Sequence, residues 1–203
     1  MFELIDLSFA YPDSPPLFQQ LSLQLHDREN VLLKGNNGCG KSTFLKLLMG
    51  ILPASGGHIS LCGKQVTRLQ AAMFAKVFYQ SQNTTDNLLG ISQMQDWHLW
   101  QTALPALPDY PYSGDRLFTE RSTGEQKQDS QRILPYIRDK YWILDEPFAS
   151  LDAKASDALL QLLLSKMEHQ PGMLVVAHEP AGLESYFGRV LSICNAQVQE
   201  LKR

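Results

Sequence analysis

Residues 35–43 read Gly35-Asn36-Asn37-Gly38-Cys39-Gly40-Lys41-Ser42-Thr43, and the rest of the chain is best read outward from them. They satisfy the pattern G-x-x-x-x-G-K-[ST], a glycine-rich loop suited to holding phosphate groups. Without a Cβ, the glycines let backbone N–H groups turn inward around an anion. The helix expected next points the positive end of its dipole at the same anion. Lys41 has the reach and charge for β- and γ-phosphates, and the Ser42 hydroxyl suits a magnesium ion. The flanks agree with this reading: an apolar strand over 31–33 leads in, and a leucine-rich helix over 43–49 leads out. A glycine-rich turn of no function would need neither flank.

Upstream, Leu21, Leu23 and Leu25 alternate with Ser22 and Gln24, the period of a half-buried strand. The Tyr-Pro-Asp-Ser-Pro-Pro cluster over 11–16 supplies turn chemistry before it. Downstream, a strand over 59–61 meets a turn at Cys62-Gly63-Lys64, and a buried-looking strand follows over 77–79. The stretch 84–118 differs from its surroundings, holding Trp97, Trp100, Pro105, Pro108 and Pro111. It reads as a short helix and an irregular proline-rich segment, a small helical insertion or else a long surface loop. Beyond it a helix is expected over 125–138, with Pro135 expected to kink or end it. A strand over 141–144 and a helix over 153–168 come next, the helix carrying Ala155, Ala158, Leu159, Leu162 and Leu163 on one stripe. A strand over 174–177, a short helix ending near Gly188, and a hairpin of 190–193 with 198–201 complete the pattern. Such alternation favours an α/β fold with a mostly parallel sheet covered by helices.

Composition narrows the function classes. The 203 residues fit one domain, or one with a small subdomain. Lys and Arg number 18 against 21 Asp and Glu, a net charge of −3 without a basic run, so no nucleic-acid partner is expected. No apolar stretch approaches the roughly eighteen residues a membrane helix needs, and the N-terminus lacks the basic-then-apolar layout of a signal peptide. A cytoplasmic location is therefore expected. Cys39, Cys62 and Cys194 are scattered, which argues against a disulfide framework and against structural zinc.

A second motif lies a hundred residues on, in Tyr141-Trp142-Ile143-Leu144-Asp145-Glu146-Pro147. An apolar strand ending in two acids delivers carboxylates to the mouth of a parallel sheet, where ligands bind. Asp145 suits magnesium, directly or through water, and Glu146 suits polarising an attacking water. Alone, such a pair could equally be solvated acids at a strand end.

With these residues in place, the chain resembles the nucleotide-binding subunit of ATP-binding cassette (ABC) transporters over nearly its whole length. The diagnostic piece is Ser122-Thr123-Gly124-Glu125-Gln126, which looks like the family signature LSGGQ or LSGGEQ. On the residues alone it could be a plain helix cap with an acid in the first turn. The resemblance implies a P-loop NTPase core with an N-terminal antiparallel β subdomain and a short inserted helical subdomain over about 84–138, all within a single domain, 1–203. It implies ATP and Mg2+ as cofactors, with Gly35 to Thr43 around the phosphates and Tyr11 against adenine. Ser122, Gly124, Glu125 and Gln126 would bind the nucleotide of a second nucleotide-binding subunit. Asp152 looks like the family's D-loop acid, or an ordinary helix cap. His178 resembles the switch histidine at the γ-phosphate; a lone histidine is otherwise more often structural.

Gln80 and Gln82 both follow the strand over 77–79. The continuation Asn83-Thr84-Thr85-Asp86-Asn87-Leu88-Leu89-Gly90 looks like the segment after the Q-loop glutamine in cobalt, biotin and energy-coupling-factor type importers, which selects Gln82. The implied catalytic set is Lys41, Gln82, Glu146 and His178, and the magnesium set is Ser42, Gln82 and Asp145. The implied function is an ATPase on the inner face of the membrane, driving transport through separate transmembrane subunits, with a lean toward import of a metal ion or vitamin. A nucleotide-sensing module, a soluble cassette and a small-molecule kinase are the rivals. The chain departs from the family pattern where Thr123 replaces a glycine, Arg121 a leucine and Ser150 an often-found glycine, where 127–132 are unusually polar, and where the 84–118 region is shorter than in most importers.

Overall fold

Val31, Leu32 and Leu33 are fully buried, because their strand is paired on both sides by strands running in the same direction and packed over on both faces. The computed structural model describes residues 1–111, 113–169, 171–178, 182–194 and 196–202, with Lys202 described by its backbone alone. In chain order the elements are β1 Phe2–Phe9, β2 Phe18–Leu25, β3 Asn30–Lys34, α1 Lys41–Leu48, β4 Gly56–Leu61, β5 Lys64–Gln65, α2 Ala71–Phe74 and β6 Val77–Gln80. Then come α3 Gln93–Ala103, α4 Thr123–Gln131, β7 Tyr141–Asp145, α5 Ala153–Met167, β8 Met173–Ala177, β9 Arg189–Cys194 and β10 Gln197–Lys202.

The strands form two sheets, β2-β1-β4-β5, wholly antiparallel, and β10-β9-β3-β8-β7-β6, parallel except for the terminal β9–β10 hairpin. Covered on both faces, β7 and β8 are buried at every position and read as continuous apolar runs. Their side chains still alternate between two cores. Val31, Leu33, Ile143, Leu174 and Val176 meet α1 and the antiparallel sheet on one face. Leu32, Trp142, Leu144, Met173 and Val175 meet α5 and the 133–137 segment on the other. The α/β architecture expected from the sequence is thus the one observed.

Details differ from expectation. The helix expected over 125–138 ends at Gln131, and Pro135 sits inside a separate 3-10 turn, Leu134–Tyr136; proline has no N–H to continue the helix and its ring clashes with the preceding turn. The buried stripe of α5 is Leu159, Leu163 and Lys166, while Ala158 is exposed. The short helix expected before Gly188 is a 3-10 turn, Leu183–Ser185, with 179–181 lying outside the described residues. Two short elements, β5 and α2, carried too little periodicity to be expected. In the 84–118 stretch, α3 is anchored by Trp97, whose Nε1 donates to the Pro108 carbonyl at 2.9 Å, and by Trp100 beside Phe78.

Candidate nucleotide-binding site

The parallel strands deliver their C-terminal ends to one edge of the sheet. There β3 runs into the glycine loop, β6 ends at Gln80, β7 at Asp145 and β8 at Ala177, the position where open α/β sheets bind ligands. In the loop, Gly38 (φ 78°) and Gly40 (φ 107°) take left-handed conformations that L side chains rarely adopt. Gly40 is the N-cap of α1, so the helix starts two residues earlier than its apolar pattern suggested.

Lys41 is 8% exposed, and its Nζ donates to the loop's own carbonyls, Gly35 at 2.8 Å and Asn36 at 3.3 Å. The same ammonium lies 3.6 Å from Glu146 Oε1. Cys39 contributes its backbone N–H to the turn, donating to the Asn36 carbonyl. Its sulfur points inward against Gly35 and packs on the core beneath the loop.

A cleft of about 490 Å³ opens beside the loop, lined by Tyr11, Asn37, Gly38, Gly40, Lys41, Ser42, Thr43, Gln82 and Glu146, with Ser14, Pro15 and Leu17 completing its wall. The Tyr11 ring stands edge-on to Phe9 at 4.9 Å, and its hydroxyl shares a 3.0 Å hydrogen bond with Thr43 Oγ1. The two glutamines are treated differently. Gln80 is fully buried and donates to Ser130 Oγ at 3.2 Å, whereas Gln82 is exposed and faces the cleft.

Asp145 is 1% exposed. Burial pushes its carboxyl above the usual carboxylate range, and a Ser42 hydrogen bond, then Lys127 and Lys41, draw it back. Its Oδ1 has no hydrogen-bond partner among the described residues. An orphaned buried carboxylate oxygen next to a serine hydroxyl fits a small hard cation that takes its remaining oxygens from phosphates and water. Among the described residues no cluster of three His, Cys, Asp or Glu offers an all-protein cage, and magnesium does not require one.

Glu146 has φ 49°, an uncommon conformation for a long side chain, of the kind that concentrates at functional sites. Its N–H donates to the Val176 carbonyl at 3.0 Å, and its Oε2 accepts from the His178 backbone N–H at 3.1 Å. His178 lines a second recess, whose wall Glu146 shares, and its Nδ1 is buried and unpartnered among the described residues. His178 thus holds Glu146 by its backbone, and its imidazole does not line the cleft.

Ser122, Gly124, Glu125 and Gln126 lie outside that cleft. Ser122 caps α4 in a reciprocal box with Glu125: its Oγ accepts from the Glu125 N–H, and its own N–H donates to Glu125 Oε2 at 2.9 Å. Gln126 Nε2 is tied to the Phe118 and Arg121 carbonyls. Asp152 caps α5, accepting from the Ala155 N–H at 2.7 Å. The inner face of α4 is polar: Lys127, Asp129, Ser130 and Gln131 are all buried, and burial pushes the Lys127 ammonium down to about 8. Polar residues at 127, 130 and 131 follow helical spacing, a pattern the sequence displayed without revealing that the face turned inward. Ser14, Pro15 and Leu17 had no signal beyond their turn chemistry.

Residues 18–149 match the family described as ABC transporter. The chain belongs to that family. It is an ABC ATP-binding cassette and an ATPase of the kind that drives transport. The cassette is 30% identical to the manganese transport system ATP-binding protein MntB of Bacillus subtilis, over 93% of this chain and 81% of that protein. It is 32% identical to the cytochrome c biogenesis ATP-binding export protein CcmA of Bartonella quintana, over 82% and 83%. Among solved structures, the dimeric cassette MJ0796 in a post-hydrolysis state with ADP and Pi aligns with a TM-score of 0.77 at 18% identity, covering 100% of this chain and 98% of that one, which supports the fold.

Proposed function

We propose that this cassette is the ATP-hydrolysing subunit of a membrane transporter and works as one half of a pair of nucleotide-binding subunits. The observation that carries the reading is the cleft in which Tyr11, the glycine loop, Gln82 and Glu146 meet while the Ser122 end of α4 lies outside it. One chain thus holds a nucleotide's base and phosphates but leaves its signature segment free for the nucleotide of a second subunit. Loop N–H groups and the start of α1 receive the phosphates, and Lys41 exchanges the Gly35 and Asn36 carbonyls for β- and γ-oxygens. Ser42, Asp145 and Gln82 would hold magnesium, which when bound neutralises phosphate charge. Glu146, held in its strained conformation by Val176 and His178, orients water in line with the γ-phosphate. His178 acts at the γ-phosphate once its ring turns from the recess, and Asp152 meets the partner across the pair. Residues 84–138 serve as the helical subdomain.

No helix among the described residues is long and apolar enough to cross a membrane; in this reading transport runs through separate transmembrane subunits, with the cassette peripheral on the inner face. Import of a metal ion or vitamin is favoured by the Asn83 to Gly90 segment, and a metal ion as cargo by likeness to the manganese transport system ATPase. Export is the second reading, favoured by comparable likeness to the Bartonella protein. The test is the mass in solution of Glu146→Gln with and without Mg-ATP. A nucleotide-dependent dimer supports the paired mechanism; a monomer that still binds ATP removes the self-paired form. Uptake or loss of Mn2+ by vesicles carrying the co-purified transporter separates import from export.

A further inference from the structure

Lys127 sits on the inner face of α4 at 1% exposure, and its Nζ has no hydrogen-bond partner among the described residues. A buried ammonium with nothing to donate to is destabilising, and an apolar side chain of similar volume would pack there at lower free energy. Among the described residues no carboxylate lies within ion-pair distance of it, and the acids whose charge offsets its burial are Asp145 and Glu146. Asp145 in turn is influenced by Lys127 ahead of Lys41. The same helix is fastened to the segment carrying those acids. Gln131 Nε2 donates to the Pro147 carbonyl at 2.7 Å, and Gly124 lies beneath the Ser150 carbonyl.

We propose that Lys127 is a positioning residue for hydrolysis, a fixed cation on the signature helix that holds the Asp145–Glu146 pair of its own chain in place when Lys41 turns to the phosphates. The proposal rests on ATP hydrolysis at this site. Without nucleotide, Glu146 has the Lys41 ammonium 3.6 Å away. Lys41 cannot face Glu146 and the β/γ-phosphates equally, so nucleotide binding draws that cation off while adding negative charge nearby. Two adjacent carboxylates then repel each other and the phosphates. Lys127, buried and absent from the cleft wall, is the cation that stays. It is carried by the helix that Ser122 caps and that is fastened to the segment after β7, so it keeps its place relative to the two acids.

Wild type, Lys127→Met, Lys127→Gln and Lys127→Arg are compared in ATP titration, steady-state hydrolysis and thermal unfolding, with Glu146→Gln as the hydrolysis-deficient control. The Met and Gln variants should bind ATP within about twofold of wild type while kcat falls roughly tenfold or more with little change in KM. Their melting temperature should hold or rise, and Arg, which keeps the cation, should recover most of kcat. An unchanged kcat in both neutral variants overturns the proposal. So does an equal kcat loss in all three variants accompanied by a lower melting temperature, the mark of a packing role. Wild type no faster than Glu146→Gln overturns the hydrolytic reading itself, and the proposal with it.

Discussion

The carbonyl oxygen of Ser150 sits directly over Gly124, so close that a Cβ added to Gly124 would overlap it. The turn after β7 and the first turn of α4 are thereby locked together within one chain. Ser150 reaches this position with a left-handed backbone, φ 66°. A glycine of the signature therefore has an internal role, apart from anything a partner's nucleotide requires of it.

Gly124→Ala should destabilise the chain by about 1–3 kcal/mol, since the overlap is with backbone that must move. ATP affinity should stay near wild type, because Gly124 does not line the cleft. Urea unfolding and an ATP titration on the same preparation check both halves. A variant of wild-type stability would show that the two turns separate freely.

Lys41→Ala removes the only cation on the cleft wall among the described residues. A hydrogen bond to a charged group is worth about 1.5–3 kcal/mol, so ATP affinity should fall roughly ten- to hundredfold. Isothermal titration reads this directly, and wild-type affinity in the variant would remove Lys41 from the site.

Lys166 makes a pH-dependent contribution to stability. Burial pushes its ammonium down to about 8, although it donates to the Arg138 carbonyl at 2.6 Å and lies 5.2 Å from the Trp142 ring centre. With the folded value below the unfolded one, the unfolded chain binds more protons between about pH 8 and the ordinary lysine range. Stability from this group therefore rises with pH across that window, and the burial penalty is fully present below about pH 8. Lys166→Met should be more stable than wild type at pH 7, with the difference shrinking between pH 8 and 10. Melting temperatures at four pH values suffice, and a constant difference would contradict the assignment.

Cys39 lies in the loop with its sulfur against Gly35, where an added group would displace the backbone proposed to receive phosphate. In a Cys62→Ser, Cys194→Ser background, maleimide on Cys39 should abolish ATP hydrolysis. ATP at 100 times its Kd should slow labelling by roughly a hundredfold, the factor by which empty sites are depleted. Full activity in a stoichiometrically labelled protein would contradict this geometry.

The elements most legible in the sequence were those with a local signature. The glycine loop declared itself because Gly38 and Gly40 are needed for left-handed backbone and Lys41 for charge, all within nine residues. The buried strands showed because β7 and β8 bury every residue and so carry uninterrupted apolar runs. The departures from the family pattern each looked isolated in the sequence. In the structure two of them meet: Arg121 forms an ion pair with Asp129, which also holds Arg132 at 2.9 Å and Gln93 at 2.9 Å. A polar cluster thus stands at the helix whose polarity departs from the family pattern, and its cross-helix partner Gln93 lies too far off in sequence to have been foreseen.

Local order thus set the strand–loop–helix proposed to cup phosphate, the two acids at the end of β7, and the capping box at Ser122, because each depends on neighbours a few residues away. Long-range packing set the rest. It buried Gln80 and left Gln82 in the cleft, kept His178 off the cleft wall, and buried Lys127 where the charges of acids some twenty residues further along the chain act on it. Those outcomes depend on which face of α4 meets the sheet edge, and side chains far apart in sequence acquire a common electrostatic environment only once the fold has brought them together.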